Sequence, residues 1–263
     1  MAAYGRLAGA SVRGRLQYRL SFGLDFLTSM LAALLDFLAI LVVFQHLPLL
    51  GGWSLWEVAF LYGTAGVSFG LADLLVGQLD VLGQMIRMGT FDVVLVRPLG
   101  TLFQVVSSEL ALRRLGKVLQ AGTVLALTLP HLQVAWSPAK ALVLLLMLAA
   151  GMAIFVGIWI AGAAISFWTT DVSEVVNSVT YGGNFLTAYP VNVFGAWVRR
   201  FLAFGVPLAF VAYYPSLFIL DRRDALGGPA WLSFASPLVA AAVLAAGAAV
   251  WRTGVRHYRS TGS

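Results

Sequence analysis

Residues 139–167 read AKALVLLLMLAAGMAIFVGIWIAGAAISF, an apolar run interrupted by one charge, Lys140. A helix crossing about 30 Å of hydrocarbon needs about 20 mainly apolar residues, and only helices and closed barrels satisfy every backbone N–H and C=O there. The run is long enough and lacks the alternation of barrel strands, so it reads as a membrane span. The rest of the chain agrees. Of its 263 residues 60% are hydrophobic and 11% are charged, whereas soluble domains carry roughly 25% charged residues. Too few polar side chains remain to cover a surface in water, and lipid must cover the long apolar stretches instead.

Working outward from that run gives an all-α integral membrane protein with six spans in one transmembrane domain, residues 1–263. The spans are Phe22 to Phe44, Trp56 to Val76, Lys117 to Leu132, Ala139 to Phe167, a weaker one between Val172 and Leu220, and Trp231 to Trp251. The first is too long for a signal-peptide core and has no small-residue cleavage site, so it should stay attached. Basic residues set the orientation. Arg6, Arg13, Arg15 and Arg19 precede the first span, Arg87 and Arg97 lie between the second and third, and Arg252, Arg256 and Arg259 follow the sixth. These segments are expected in the cytoplasm, with both termini inside. The connections His46 to Leu55 and His131 to Pro138 carry no Lys or Arg, and Trp53, Trp56 and Trp136 suit the outer interface.

The fifth span has two placements. Either Phe201 to Leu220 crosses, which keeps Arg199 and Arg200 inside, or Val172 to Tyr189 crosses and residues 190–220 fold back as short re-entrant helices at the outer face. Tyr189-Pro190, Pro207 and Tyr214-Pro215 favour broken helices and hence the second placement.

Several kinds of chemistry are excluded. With no cysteine there is no disulfide, thiolate metal site or cysteine nucleophile. The net charge of +6 is spread between apolar segments, which is a topology pattern and not a nucleic-acid footprint. A P-loop needs Gly-rich backbone before Lys-Ser or Lys-Thr, and the two lysines, Lys117 and Lys140, begin neither pair. Gly66-Val-Ser-Phe-Gly70 matches the nucleophile-elbow spacing but falls mid-helix with no histidine base near it. Read as Gly-xxx-Gly it lets helices approach closely, as Gly157, Ala161 and Ala164 do in the fourth span.

Three polar residues of the first span, Asp25, Ser29 and Asp36, share one side, because eleven residues return a helix to within about 20° of its starting direction. A carboxylate in hydrocarbon costs about 2.5–3.5 kcal/mol on insertion scales, so that side should meet a helix or a wet cavity. It is a candidate pathway lining for a cationic or polar substrate, or a structural partner of Arg113, Arg114 or Lys117. Asp73 has the same two readings, but its nearness to Asp80 and the loop points to hydration. Asp171 and Glu174 suit a helix N-terminus as caps.

The layout resembles the permease subunits of bacterial type-2 ATP-binding cassette (ABC) exporters, of the branch with paired permease genes. The most specific stretches are Met88-Gly-Thr-Phe-Asp-Val-Val-Leu-Val-Arg-Pro-Leu99, and Tyr189 through Ala196-Trp-Val-Arg-Arg200 to Tyr213-Tyr-Pro215. The resemblance implies an amphipathic interfacial helix over residues 1–20, for which Tyr4 to Arg19 is the counterpart. It implies a cytoplasmic coupling helix in residues 80–98, with Asp80, Leu82, Met85, Ile86, Arg87, Met88, Asp92 and Arg97 meeting the ATPase. Its partners would be two copies of a cytosolic ATPase, a second permease, identical or homologous, and membrane lipid. ATP and Mg would sit on the ATPase, with no cofactor in this chain, no catalytic residue, and export across the bacterial cytoplasmic membrane as the activity. Two rivals stand beside it. An ion-gradient transporter would show inverted repeats, and an intramembrane hydrolase would use Ser68.

Overall fold

The structure, a computed structural model, describes residues 19–108, 114–169, 173–224 and 227–259. Within them there are eleven α-helices joined by 3-10 and π turns, and no β-strand. The interfacial helix expected over 1–20 lies, but for its last two residues, outside the described residues, as do Arg113 and Asp171. The side chains of Asp25, Ser29, Asp36 and Glu174 also fall outside, although their backbones are helical.

Local chemistry starts the long helices where the sequence has caps. The helix α1 is Arg19–His46 and α2 is Leu55–Val76. Before α2, the Ser54 N–H and hydroxyl both donate to Glu57 Oε2, at 2.8 and 2.9 Å, satisfying an orphan donor at the helix start. Three short helices follow: α3 is Leu82–Arg87, α4 Phe91–Leu95 and α5 Thr101–Ser107. Next, α6 is Leu115–Thr128 and ends in a 3-10 turn at Leu129–His131, where Pro130 cannot continue the ladder. The quoted apolar run forms α7, Pro138–Ala164, begun by Ser137 Oγ accepting from Lys140 N and by Pro138 in the first turn. The last long helix, α11, is Ser236–His257, with α8 to α10 between. It starts five residues after the expected Trp231, because Pro237 suits a first turn and Ala230–Phe234 form a 3-10 turn instead.

Glycines set the closest packing. A Cβ on Gly63 would lie within 3.0 Å of the Leu125 backbone, and one on Gly70 within 2.8 Å of Val118, so α2 and α6 touch backbone to backbone. Likewise α7 and α11 meet where a Cβ on Gly247 would lie 2.5 Å from Gly157 O. The buried Ser68 hydroxyl donates to Leu148 O at 3.3 Å and ties α2 to α7. Leu31, Leu35, Leu142, Leu145 and Leu238 are exposed on the long helices. A soluble fold would not leave such a belt in water, and hydrocarbon accounts for it.

Between α7 and α11 the chain is broken, as the prolines require. The helix α8 is Ser173–Thr187, α9 is Ala196–Arg200 continuing as a π turn at Phe201–Gly205, and α10 is Tyr213–Ile219 after a 3-10 turn at Leu208–Phe210. Among the described residues Leu55–Arg87, Pro138–Phe167 and Ser236–His257 are long and apolar enough to cross a membrane, and Ala196–Gly205 with Leu208–Ile219 form a pair bent by 77°. The 15-residue α8 rises about 22 Å, less than a full hydrocarbon core.

Candidate functional site: the 77–107 connection and the polar seam behind it

Residues 77–107, which follow α2, form a folded platform and not a loose loop. Leu82, Ile86, Phe91 and Val94 are buried, and Phe91 meets Phe167 and Tyr258 edge-on at 5.2 and 5.1 Å. Gln104 Nε2 donates to Val94 O at 2.9 Å and to Leu99 O at 2.7 Å, which staples the 94–99 turn onto α5. Trp251 Nε1 of α11 donates to Thr101 Oγ1 at 3.1 Å, and the Tyr258 hydroxyl donates to Asp92 Oδ1 at 2.8 Å. Burial, the bond to Asp92 and its negative charge push the Tyr258 phenol up to about 12. It therefore stays a donor across the physiological range.

The eight residues expected to meet an ATPase divide between two faces. Asp80, Leu82 and Ile86 turn inward, and Met85 and Asp92 are half-buried. Arg87, Met88 and Arg97 are exposed, together with Val93, Leu95, Val96 and Leu99. Val96 is 82% exposed and Met88 55%, so the outward face is apolar with a basic edge while the inward face anchors it.

Behind the platform lies a polar seam. Asp80 Oδ1 accepts from Trp159 Nε1 of α7 at 2.6 Å, and Oδ2 accepts from the Tyr181 hydroxyl of α8 at 3.2 Å. About two turns deeper, Asp73 is only 1% exposed and is flanked by Arg114 at 3.1 Å and Lys117 at 3.6 Å. Arg114 Nη1 also donates to Asp73 O at 2.7 Å. This corrects the reading of Asp73 as a hydrated acid near the end of its span, since a carboxylate without water must be paired. Arg114 and Lys117, suggested partners for Asp25 and Asp36, are thus engaged by Asp73. The Lys117 ammonium also lies 5.2 Å from the Tyr181 ring centre and 5.8 Å from that of Phe69.

Above the seam is a half-enclosed cavity of about 330 Å³ between α1, α2, α6 and α8, with Lys117, Gln120, Asn184, Tyr62, Tyr181 and Phe185 among its lining residues. Sequence reasoning passed over Lys117, Gln120 and Asn184 as site residues. Polar residues one turn apart on an apolar helix, as Lys117 and Gln120 are, were the available signal.

At the opposite end of the bundle Arg222 makes a two-pronged pair with Glu57, Nε to Oε1 at 2.6 Å and Nη2 to Oε2 at 3.0 Å. Nη2 also donates to Gly52 O at 2.8 Å, and the guanidinium lies 4.7 Å from the Trp53 ring centre. This clamp joins the 47–54 connection to the broken segment. Glu57 and Arg222 are 165 residues apart, and nothing in their local sequence announces the pairing.

No curated protein and no solved structure matches the chain. A family model described as "ABC-2 family transporter protein" matches residues 30–262, nearly the whole length and every element above. The chain, an apolar helical bundle, belongs to the ABC-2 family of transporters as a permease.

Proposed function

We propose that this permease forms the translocation pathway of an ATP-driven exporter as a dimer, with itself or a homologous permease, and is driven by two copies of a separate cytosolic ATPase. The observation that carries this reading is the outward face of the 77–107 platform, where Met88, Val93, Val96 and Leu99 are exposed beside Arg87 and Arg97 over a buried base. An exposed apolar patch with a basic rim on a rigid support suits a groove on a protein partner. The residues 80–98 are then the coupling segment, lying in the cytoplasm of a bacterial cell beneath the inner membrane, with both termini on the same side. ATP and Mg belong to the partner.

The platform can transmit force because it is fastened to four helices. It continues α2 through the 3-10 turn Gly77–Val81, and reaches α7 and α8 through Asp80 and α11 through Thr101 and Tyr258. When the ATPase pair closes, a push on Val96 and Met88 moves these helices together and not one loop alone. In this scheme α8 is a short fifth span that the bilayer meets by local thinning, and residues 190–220 are the outer re-entrant segment held by the Glu57–Arg222 clamp. The test is co-purification. The ATPase should accompany the wild-type permease in stoichiometric amount and be lost from Val96→Asp with the permease still folded. Retention of the ATPase by that variant would refute the contact.

A further inference from the structure

The cavity between α1, α2, α6 and α8 has a chemical preference written into its walls, and naming it rests on the permease reading above. Its inner end holds the Lys117 ammonium, set over the Tyr181 and Phe69 rings. The Asp73 carboxylate is shared with Arg114, which approaches it more closely, at 3.1 Å against 3.6 Å, and also bonds the Asp73 carbonyl. Lys117 is the looser partner and has three donors, of which one salt bridge uses one. Asp80 lies beyond Tyr181, outside the cavity wall, with its oxygens taken by Trp159 and Tyr181.

A second observation points the same way. Gln120, one turn along α6 from Lys117, is 93% buried. Its Oε1 accepts from the Tyr62 hydroxyl at 3.4 Å, while its Nε2 makes no hydrogen bond among the described residues. A buried amide donor without a partner is costly to keep, and a site that keeps one beside an ammonium is built to receive an acceptor. Of the other walls Ile40, Phe69, Ala121 and Ala188 are apolar, while Asn184 adds a buried acceptor, Oδ1, that also makes no hydrogen bond among the described residues and suits a hydroxyl or a protonated oxygen of the head group. Phe185 at the rim is 54% exposed, and α1 and α8, which flank the cavity, scarcely touch each other. The cavity is therefore open between α1 and α8, past Phe185.

We infer that this cavity binds the anionic head of an amphiphile, a phosphate or carboxylate held by Lys117 Nζ and Gln120 Nε2 with its apolar tail leaving past Phe185. The charge is opposite to that expected for a pathway lined by Asp25 and Asp36. The preference between anion and cation is therefore the decisive question.

The experiment uses the permease–ATPase complex in phosphatidylcholine nanodiscs without nucleotide, with empty nanodiscs as background. Three probes are compared by equilibrium binding: dodecyl phosphate, dodecyltrimethylammonium and inorganic phosphate. Saturable binding of dodecyl phosphate is expected, weakened about tenfold or more in both Lys117→Met and Gln120→Leu. Gln120→Leu keeps the Asp73 pairs intact, so its loss of binding is not a folding defect if its melting temperature holds. Tighter binding of dodecyltrimethylammonium, inorganic phosphate binding as tightly as dodecyl phosphate, or unchanged binding in both variants would each overturn the inference. The readout needs no turnover, so failure here leaves the ATPase contact at Val96 standing, and failure of that contact leaves this result standing.

Discussion

Trp159 Nε1 of α7 and Asp80 Oδ1 of the α2–α3 connection are 2.6 Å apart, and this bond joins the most apolar of the long helices to the platform below it. The Asp80 carboxylate takes a second bond from Tyr181, so one acid gathers α7, α8 and the connection. A hydrogen bond to a charged group contributes about 1.5–3 kcal/mol. Asp80→Ala should lower stability by about that amount and reduce transport per ATP hydrolysed by more than its loss of folded protein explains. Thermal unfolding in detergent with paired transport and ATPase assays checks this, and unchanged transport stoichiometry in Asp80→Ala would count against the force path.

Asp73 offers a sharper energetic test. Removing one partner of a buried ion pair costs about 3–5 kcal/mol, whereas replacing both by apolar groups is often neutral. Arg114→Leu should be strongly destabilising and the double variant Asp73→Leu with Arg114→Leu markedly less so. Lys117 keeps Asp73 in the single variant and loses it in the double, so both are made in a Lys117→Met background, which makes the comparison one of the Asp73–Arg114 pair. Equal destabilisation of the single and double variants would show that the pair is not the source.

The Glu57–Arg222 clamp is two-pronged and part-buried, the geometry in which an Arg–carboxylate pair is worth most. A double-mutant cycle with Glu57→Gln and Arg222→Met should give a coupling of about 1 kcal/mol or more. The Lys140–Asp221 pair, whose acid is 68% exposed, should give less, because water screens it. A coupling near zero for the first pair, measured by unfolding, would remove the clamp from the account of how residues 190–220 are held.

Gly63 leaves no room for a side chain against the Leu125 backbone. Gly63→Val should cost about 1–3 kcal/mol through overpacking, while Gly182→Ala, which meets nothing within 4 Å, should show only the gain in helix propensity. Circular dichroism melts of the two variants separate the effects, and equal stability would mean that α2 and α6 can part at no cost.

Much of the bundle was legible because lipid imposes a simple rule. The run ending at Phe167 forms a long apolar helix as read, and Pro190 and Pro207 fall at breaks, whereas Pro215 sits in the first turn of α10. Where polar side chains pair across helices the rule is silent. Asp73 read as hydrated because it stands near the inner end of its span, close to Asp80, yet its partners Arg114 and Lys117 come from the start of α6, 41 and 44 residues away. The 80–98 segment was located by resemblance, but which of its residues face outward depended on the buried Phe91 and on the Gln104 staple, neither of which has a local signature.

The most direct test of the central claim uses a feature of the chain itself, its lack of cysteine. Single cysteines placed by Val96→Cys and, as a buried comparison, Val105→Cys, can be joined to the co-expressed ATPase by a short thiol-reactive crosslinker. Val96→Cys should form a permease–ATPase adduct whose yield changes with nucleotide, and Val105→Cys should form none. No adduct at Val96→Cys in a complex that still hydrolyses ATP and transports would contradict the coupling of this permease through its 77–107 platform.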